Sequence, residues 1–126
     1  MPLVTLTVRK PKSAAFKAGV LDAVHAALVE SGVPAADKFQ RVLELGDEDF
    51  RFDPSYPDLG SRRNGDFVLI EIVWSVGRSV KVKRRVLATL IGNLTRQGLD
   101  PENVMVCFKD TAWENWAFGG GRLIHI

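Results

Sequence analysis

One stretch of the chain decides the fold: residues 67–98 read FVLIEIVWSVGRSVKVKRRVLATLIGNLTRQG. Its beginning, Phe67 to Trp74, is almost entirely apolar, which is typical of a strand that is buried on both faces. From Ser79 to Gln97 the spacing changes, and apolar residues recur every four positions, at Val82, Val86, Leu90 and Leu94. That spacing predicts a helix with one apolar stripe. A second apolar run, Val104 to Phe108, follows and predicts another strand.

The first part of the chain repeats this order of elements. Pro2 to Val8 is rich in β-branched residues, with Val4, Leu6 and Val8 alternating with Leu3, Thr5 and Thr7, and this pattern favours a strand. Ser13 to Ser31 is predicted to be a helix, because its apolar residues form a stripe at helical spacing, namely Phe16, Val20, Leu21, Val24 and Leu28. A strand follows at about Lys38 to Leu45, with one face formed by Phe39, Leu43 and Leu45.

Matching residues mark the ends of the predicted helices in the two parts. Ser13 aligns with Ser79 as a helix N-cap and Gly32 with Gly98 as a helix stop, each pair 66 positions apart. Asp37 aligns with Asn103 at the same offset. We therefore expect one domain over residues 1–126, with repeat halves at about 1–45 and 67–110. Residues 46–66, rich in proline and glycine turn signals, are predicted to form a long joining loop.

The fold class expected from this pattern is α/β (α+β). Two fused β-α-β repeats would form a four-stranded sheet with two helices on one face. Strands that are apolar on both faces would leave the other face of such a sheet uncovered. We therefore expect this face to pack against another copy of the chain in a homo-oligomer.

Composition narrows the classes of function. Apolar residues make up 46% and charged residues 25% of the 126 residues, which is typical of a globular protein, and the net charge is only +2. The basic residues Lys81, Lys83, Arg84 and Arg85 are interpreted as a solvated helix face, so no nucleic-acid partner is expected. No apolar stretch approaches the length of about 20 residues that spans a bilayer, and no secretory signal is visible. We therefore expect a cytoplasmic protein with no membrane partner.

Few residues could bind a metal. Cys107 is the only cysteine, so the chain cannot form an internal disulfide or a thiolate metal site. Because Cys107 lies within an apolar run, we expect it to be buried. The two histidines, His25 and His125, are far apart in the sequence and do not suggest a metal pair. Glu71, inside an apolar strand, is expected either to pair with a cation, to point outward, or to act as a second acid.

Pro2 is a candidate for chemistry at the amino terminus. Once Met1 is removed, proline presents a secondary amine instead of an amide nitrogen. An α-amino group has a pKa near about 8, and burial or a nearby cation lowers that pKa towards the range that suits a general base.

Four segments carry a family resemblance: MPLV at residues 1–4, GVPAADKFQ at 32–40, GRS at 77–79 and ENWAFGG at 114–120. In this order and spacing, which covers nearly the whole chain, they resemble the tautomerase superfamily of the 4-oxalocrotonate tautomerase type. The resemblance is to its long fused-repeat group, which is similar to malonate semialdehyde decarboxylase. It implies a homotrimer in which catalysis needs no cofactor and no metal.

The resemblance also implies roles for individual residues. Pro2 would be the catalytic amine and Arg78 would bind a substrate carboxylate, for which a guanidinium before a helix N-terminus is well suited. Asp37 would polarise substrate or water, although it also fits an ordinary turn into a strand. Trp116 and Phe118 would form an apolar wall of the pocket. His25 would contact the substrate, or else lie at the boundary of the core.

The chain departs from the decarboxylase pattern in one position. That pattern has two arginines flanking a proline, whereas residues 75–78 here read SVGR, so that Val76 replaces the first arginine. The loss of one cation favours proton shuttling, in which a tautomerase (an isomerase) acts by general acid-base catalysis on small unsaturated 2-oxo or 2-hydroxy carboxylic acids. The alternatives are a decarboxylase or hydratase of a small oxo acid and, from a different class, a non-catalytic oligomeric binding module.

Overall fold

The computed structural model describes residues 1–123, so His125 lies outside the described residues. The main elements, in chain order, are β1 (Leu3–Arg9), α1 (Ala14–Glu30), β2 (Phe39–Leu45), β3 (Val68–Ser75), α2 (Val80–Arg96) and β4 (Val104–Thr111). Single 3-10 turns, which were not predicted, lie at Pro101–Asn103 and Trp113–Asn115.

The two halves begin and end their helices in the same way. Ser13 Oγ accepts a hydrogen bond from the Phe16 amide at 3.0 Å, and Ser79 Oγ accepts one from the Val82 amide at 3.2 Å. Gly32 and Gly98 follow the helix ends with φ of 115° and 89°, a left-handed conformation that glycine adopts without strain. The predicted caps and stops are therefore confirmed.

The sheet has the order β2-β1-β3-β4. β1 is parallel to β2 and β3 is parallel to β4, but the two central strands are antiparallel, with Leu3 opposite Val73. This pairing brings the starts of β1 and β2 to the same edge as the ends of β3 and β4. We call this edge, with the segments that lead into β1 and β2 and out of β3 and β4, the site edge.

The core lies between the sheet and the two helices. Alternate residues of the central strands point into it, and their side chains are at most 2% exposed: Val4, Leu6, Val8, Val68, Ile70, Ile72 and Trp74. The stripes of α1 and α2 cover them, with Val20, Val24, Leu28, Val86, Leu90 and Leu94 buried. The predicted fold, two β-α-β repeats in one four-stranded sheet with two helices, is thus confirmed. Residues 46–66, all of which the structure describes, contain neither helix nor strand.

The face of the sheet that carries no helices, which we call the open face, is partly apolar. Phe39, Leu43 and Met105 lie on it with 48%, 44% and 48% of their surface exposed. Cys107 is also exposed, so the expectation that it is buried was wrong: its register opposite Glu71 places it on the open face. Glu71 pairs with Lys109 on the same face, as one of its predicted alternatives required.

Among the described residues, no helix combines the length and the apolar character needed to cross a membrane.

Candidate functional site

The site edge gathers charged groups from three distant parts of the chain. The amino nitrogen of Met1 lies 3.6 Å from Asp37 Oδ2, and Pro2 beside it is buried. Asp37 precedes β2 and Arg78 follows β3, so the pairing of both strands with β1 explains why these groups meet. The side chain of Asp37 is itself nearly buried, at 7% exposure.

The surroundings of the amino terminus make it a weaker base than an exposed amine. Burial lowers the pKa of the Met1 amino group from its usual value near 8.0, and the positive charge of Arg78 lowers it further. Asp37 acts in the opposite direction, because its negative charge stabilises the protonated amine. Burial is the largest of these effects, so a larger fraction of the amine is neutral at pH 7 than in a free peptide.

Arg78 is held between two tryptophan rings. Its guanidinium carbon lies 4.7 Å from the centre of the Trp74 ring and 5.6 Å from that of Trp113, distances typical of cation–π contacts. Its Nη1 donates a hydrogen bond to the carbonyl oxygen of Ser75 at 3.3 Å. Within residues 1–123 no carboxylate lies within ion-pair distance of Arg78, which leaves most of its five N–H donors available for an anion.

Aromatic side chains line the part of the site edge next to β2. The rings of Trp116 and Phe118 are stacked in parallel with their centres 5.6 Å apart. Phe118 also contacts Phe39, the first residue of β2, at 6.0 Å. Phe39 pairs with Leu3, the first residue of β1, and follows Asp37 by two residues. The three aromatic rings therefore lie beside the start of β1.

Several buried polar atoms at the site edge have no hydrogen-bond partner among the described residues: Asp37 Oδ1, Ser75 Oγ, Trp74 Nε1 and Trp116 Nε1. Buried polar atoms in native proteins are almost always paired, so each unpaired one indicates a position where water or a ligand can bind. Two of these atoms belong to predicted site residues, Asp37 and Trp116.

His25 lies on α1, and its Nε2 is 2.9 Å from the carbonyl oxygen of Ala35. The segment that it contacts leads directly to Asp37, so the imidazole supports the loop that carries this carboxylate. The predicted contact of His25 with substrate stays a prediction.

A separate cavity lies away from the site edge. A space of about 560 Å³ is lined by Phe16, Gly19 and Asp66 near the start of α1, at the opposite end of β1 from Met1. It contains no cluster of groups comparable to that at the site edge. In the part of the chain that the structure describes, no three or more His, Cys, Asp or Glu side chains are placed to bind a metal ion.

Trp74 and Trp113, the two tryptophans beside Arg78, are not among the site residues that the sequence predicts. The strand pattern identified Trp74 only as the last apolar residue of β3. The polar residues after Phe108 predict that β4 ends there, so the sequence gives Trp113 no position near the sheet. In the structure, β4 continues to Thr111. Ser75 pairs with Thr111, so β3 and β4 end side by side. This pairing brings Trp113, two residues after β4, close to Arg78, three residues after β3.

Comparisons with known proteins agree on one family. A family model described as tautomerase enzyme matches residues 37–119. The chain is 24% identical over 124 residues to the probable tautomerase YusQ of Bacillus subtilis (strain 168), a match that covers 97% of this chain and 96% of that protein.

Solved structures give the same result. The chain is 30% identical to malonate semialdehyde decarboxylase, whose structures are described as a basis for its decarboxylase and hydratase activities. The TM-score is 0.87 over 96% of this chain and 93% of that one. A fused 4-OT, described as a symmetric trimer, has a TM-score of 0.71 at 20% identity over 95% of this chain and 94% of its own. At that identity, the second comparison shows a shared fold.

Proposed function

The chain belongs to the tautomerase family, and from this membership we propose that it is a cofactor-independent tautomerase with Pro2 as its general base and acid. The observation that carries the proposal is the amino terminus itself. A partly buried amine with a lowered pKa lies beside a carboxylate and near a guanidinium that has no ion-pair partner among the described residues. Removal of Met1 would transfer these surroundings to the nitrogen of Pro2, which is buried one residue further along the chain.

The proposed reaction moves one proton. The neutral Pro2 nitrogen accepts the proton of an enol hydroxyl, and the oxygen–hydrogen electron pair becomes the carbonyl π bond. The electron pair of the C=C bond then takes the proton from the Pro2 ammonium at the neighbouring carbon. Arg78 binds the carboxylate of a small unsaturated 2-oxo or 2-hydroxy acid, and its charge stabilises the enolate.

The remaining site residues assist this step. Asp37, which raises the pKa of the amine, would stabilise the ammonium between the two proton transfers. Trp116 and Phe118 would exclude water and keep the amine desolvated, which opposes the effect of Asp37. Two opposing influences of this kind bring a catalytic pKa close to the working pH, where a single group can act as both base and acid.

The amine can be tested by blocking it. Protein that intact mass shows to lack Met1 should ketonise phenylenolpyruvate well above the rate in buffer. The matched control is the same chain with a short extension before Pro2, because its nitrogen is then an amide without a basic electron pair. This form should be inactive. Equal rates for the free and the extended chain would rule out proline catalysis.

A second candidate function is decarboxylation or hydration of a small oxo acid. It is favoured by the 30% identity and TM-score of 0.87 to malonate semialdehyde decarboxylase, and disfavoured by Val76 in place of an arginine. This reaction would use a cationic amine to polarise a carbonyl, whereas tautomerisation needs a neutral one. Release of CO₂ from malonate semialdehyde, without ketonisation of phenylenolpyruvate, would establish the second candidate in place of the first.

We further propose that the protein is a homotrimer. The apolar residues of the open face, Phe39, Leu43 and Met105, would be covered by neighbouring copies. The fused 4-OT that shares the fold is described as a trimer. Sedimentation equilibrium should give three times the chain mass of 13.9 kDa, and a monomer at micromolar concentration would contradict the proposal.

A further inference from the structure

We propose that the site selects small monocarboxylic acids with an aryl or branched apolar group over dicarboxylic acids, and that Trp113 determines this preference. The inference rests on the proposed function in one respect, namely that Arg78 binds a carboxylate.

Among residues 1–123, Arg78 is the cation whose positive charge lowers the pKa of the amino terminus. Val76, two residues earlier, is apolar and 39% exposed. A second carboxylate placed beside the first would therefore meet methyl groups instead of hydrogen-bond donors. Contact with methyl groups removes part of the hydration of a carboxylate without replacing its hydrogen bonds, so this position disfavours a dicarboxylate.

The two tryptophans beside Arg78 differ in exposure. Trp74 is 1% exposed and packs against Phe108 with ring centres 6.1 Å apart, so the core holds it in place. Trp113 follows β4 and is 36% exposed while it contacts the guanidinium. A carboxylate bound by Arg78 would thus place its substituent next to an accessible indole, and an aryl or branched group would gain apolar contact there.

Charges near Trp113 oppose a second anion. Glu114 directly follows it and is exposed. Asp110, close to the end of β4, is paired with Lys83 at 3.3 Å, so this lysine is already neutralised. A second carboxylate near the indole would experience repulsion from Glu114, and Lys83 would offset it little because Asp110 already pairs with this lysine.

Binding of unreactive acids tests the preference without turnover. Calorimetry on the full chain lacking Met1 should show that 3-phenylpropanoate binds at least about tenfold more tightly than succinate. Trp113→Ala should weaken 3-phenylpropanoate by about tenfold and leave succinate nearly unchanged. Trp113→Phe, which keeps a ring, should retain most of the preference. Val76→Arg should improve succinate binding by about tenfold, because it supplies a second guanidinium.

Two control variants show whether the measured binding occurs at this site. Arg78→Ala should abolish the binding of both acids. Tyr56→Ala, which removes an aromatic ring that is 74% exposed in the loop at residues 46–66, should change neither. Far-UV circular dichroism of each variant would check that the fold is retained.

Succinate binding as tightly as 3-phenylpropanoate would overturn the inference, and so would a Trp113→Ala variant that weakens both acids equally. The outcome is independent of catalysis because neither acid reacts. A preference without ketonisation of phenylenolpyruvate would support this inference and reject the proposed function. Ketonisation without a preference would do the reverse.

Discussion

Replacement of Pro2 by alanine is expected to lower kcat/KM for ketonisation of an enol acid by about 10²–10⁴, the range that general acid-base catalysis contributes. Alanine keeps an α-amino group, but it is a primary amine that rotates freely, whereas the proline ring fixes the nitrogen relative to β1. The loss should appear mainly in kcat, because the carboxylate contact with Arg78 is retained. Steady-state kinetics on chains that intact mass shows to lack Met1 would measure it.

The control for this substitution is Pro101→Ala, which removes a proline from the 3-10 turn before β4. Pro101 lies at the opposite end of β4 from the site edge, so its replacement should leave kcat/KM within about twofold. Pro2→Ala with unchanged kcat/KM would show that another group carries the proton. Calorimetric melting would detect any loss of stability, since Pro2 is buried.

Replacement of Arg78 by alanine is expected to reduce kcat/KM by about 10²-fold, the effect of losing a charge-assisted contact worth about 1.5–3 kcal/mol. KM should rise because the carboxylate loses its main partner. Arg78→Lys should recover only part of the activity, because an ammonium keeps the charge but lacks the planar fork and stacks poorly between Trp74 and Trp113. Arg84→Ala, on the exposed face of α2, is the matched control and should behave as wild type.

The pH profile distinguishes this role from a structural one. Because Arg78 lowers the pKa of the amino terminus, Arg78→Ala should raise it. The base acts when neutral, so the acid limb of kcat/KM should move to higher pH. Asp37 has the opposite influence, so in Asp37→Asn the limb should move to lower pH. Shifts of both variants in the same direction would contradict the proposed electrostatics of the site.

Much of the fold could be predicted because its determinants are local. Helix spacing, the serine caps and the stop glycines each depend on residues within a few positions, and the observed helices differ from the predicted ones only at their terminal residues. The predicted end of β4, at Phe108, was three residues short, since Lys109 to Thr111 are polar. These residues are nevertheless part of the strand, because Thr111 pairs with Ser75 across the sheet.

The sequence alone also determined the candidate amine and its partners, in that Pro2, Asp37 and Arg78 were selected through the resemblance of their segments to one family. The resemblance identifies these residues, but no local pattern in the sequence places three groups from positions 2, 37 and 78 at one edge of the sheet. The antiparallel pairing of β1 with β3 does so, because it reverses the second repeat against the first.

Only the tertiary structure decided the exposure of Cys107 and the position of Arg78 between Trp74 and Trp113. An apolar run predicts a strand whichever way its residues face, and only pairing with a neighbour assigns each side chain to the helical or the open face. The guanidinium contacts join residues up to 35 positions apart, from Arg78 to Trp113, and form only after both strands share a sheet. Interactions within a few residues therefore defined the elements, and interactions between distant residues defined the site.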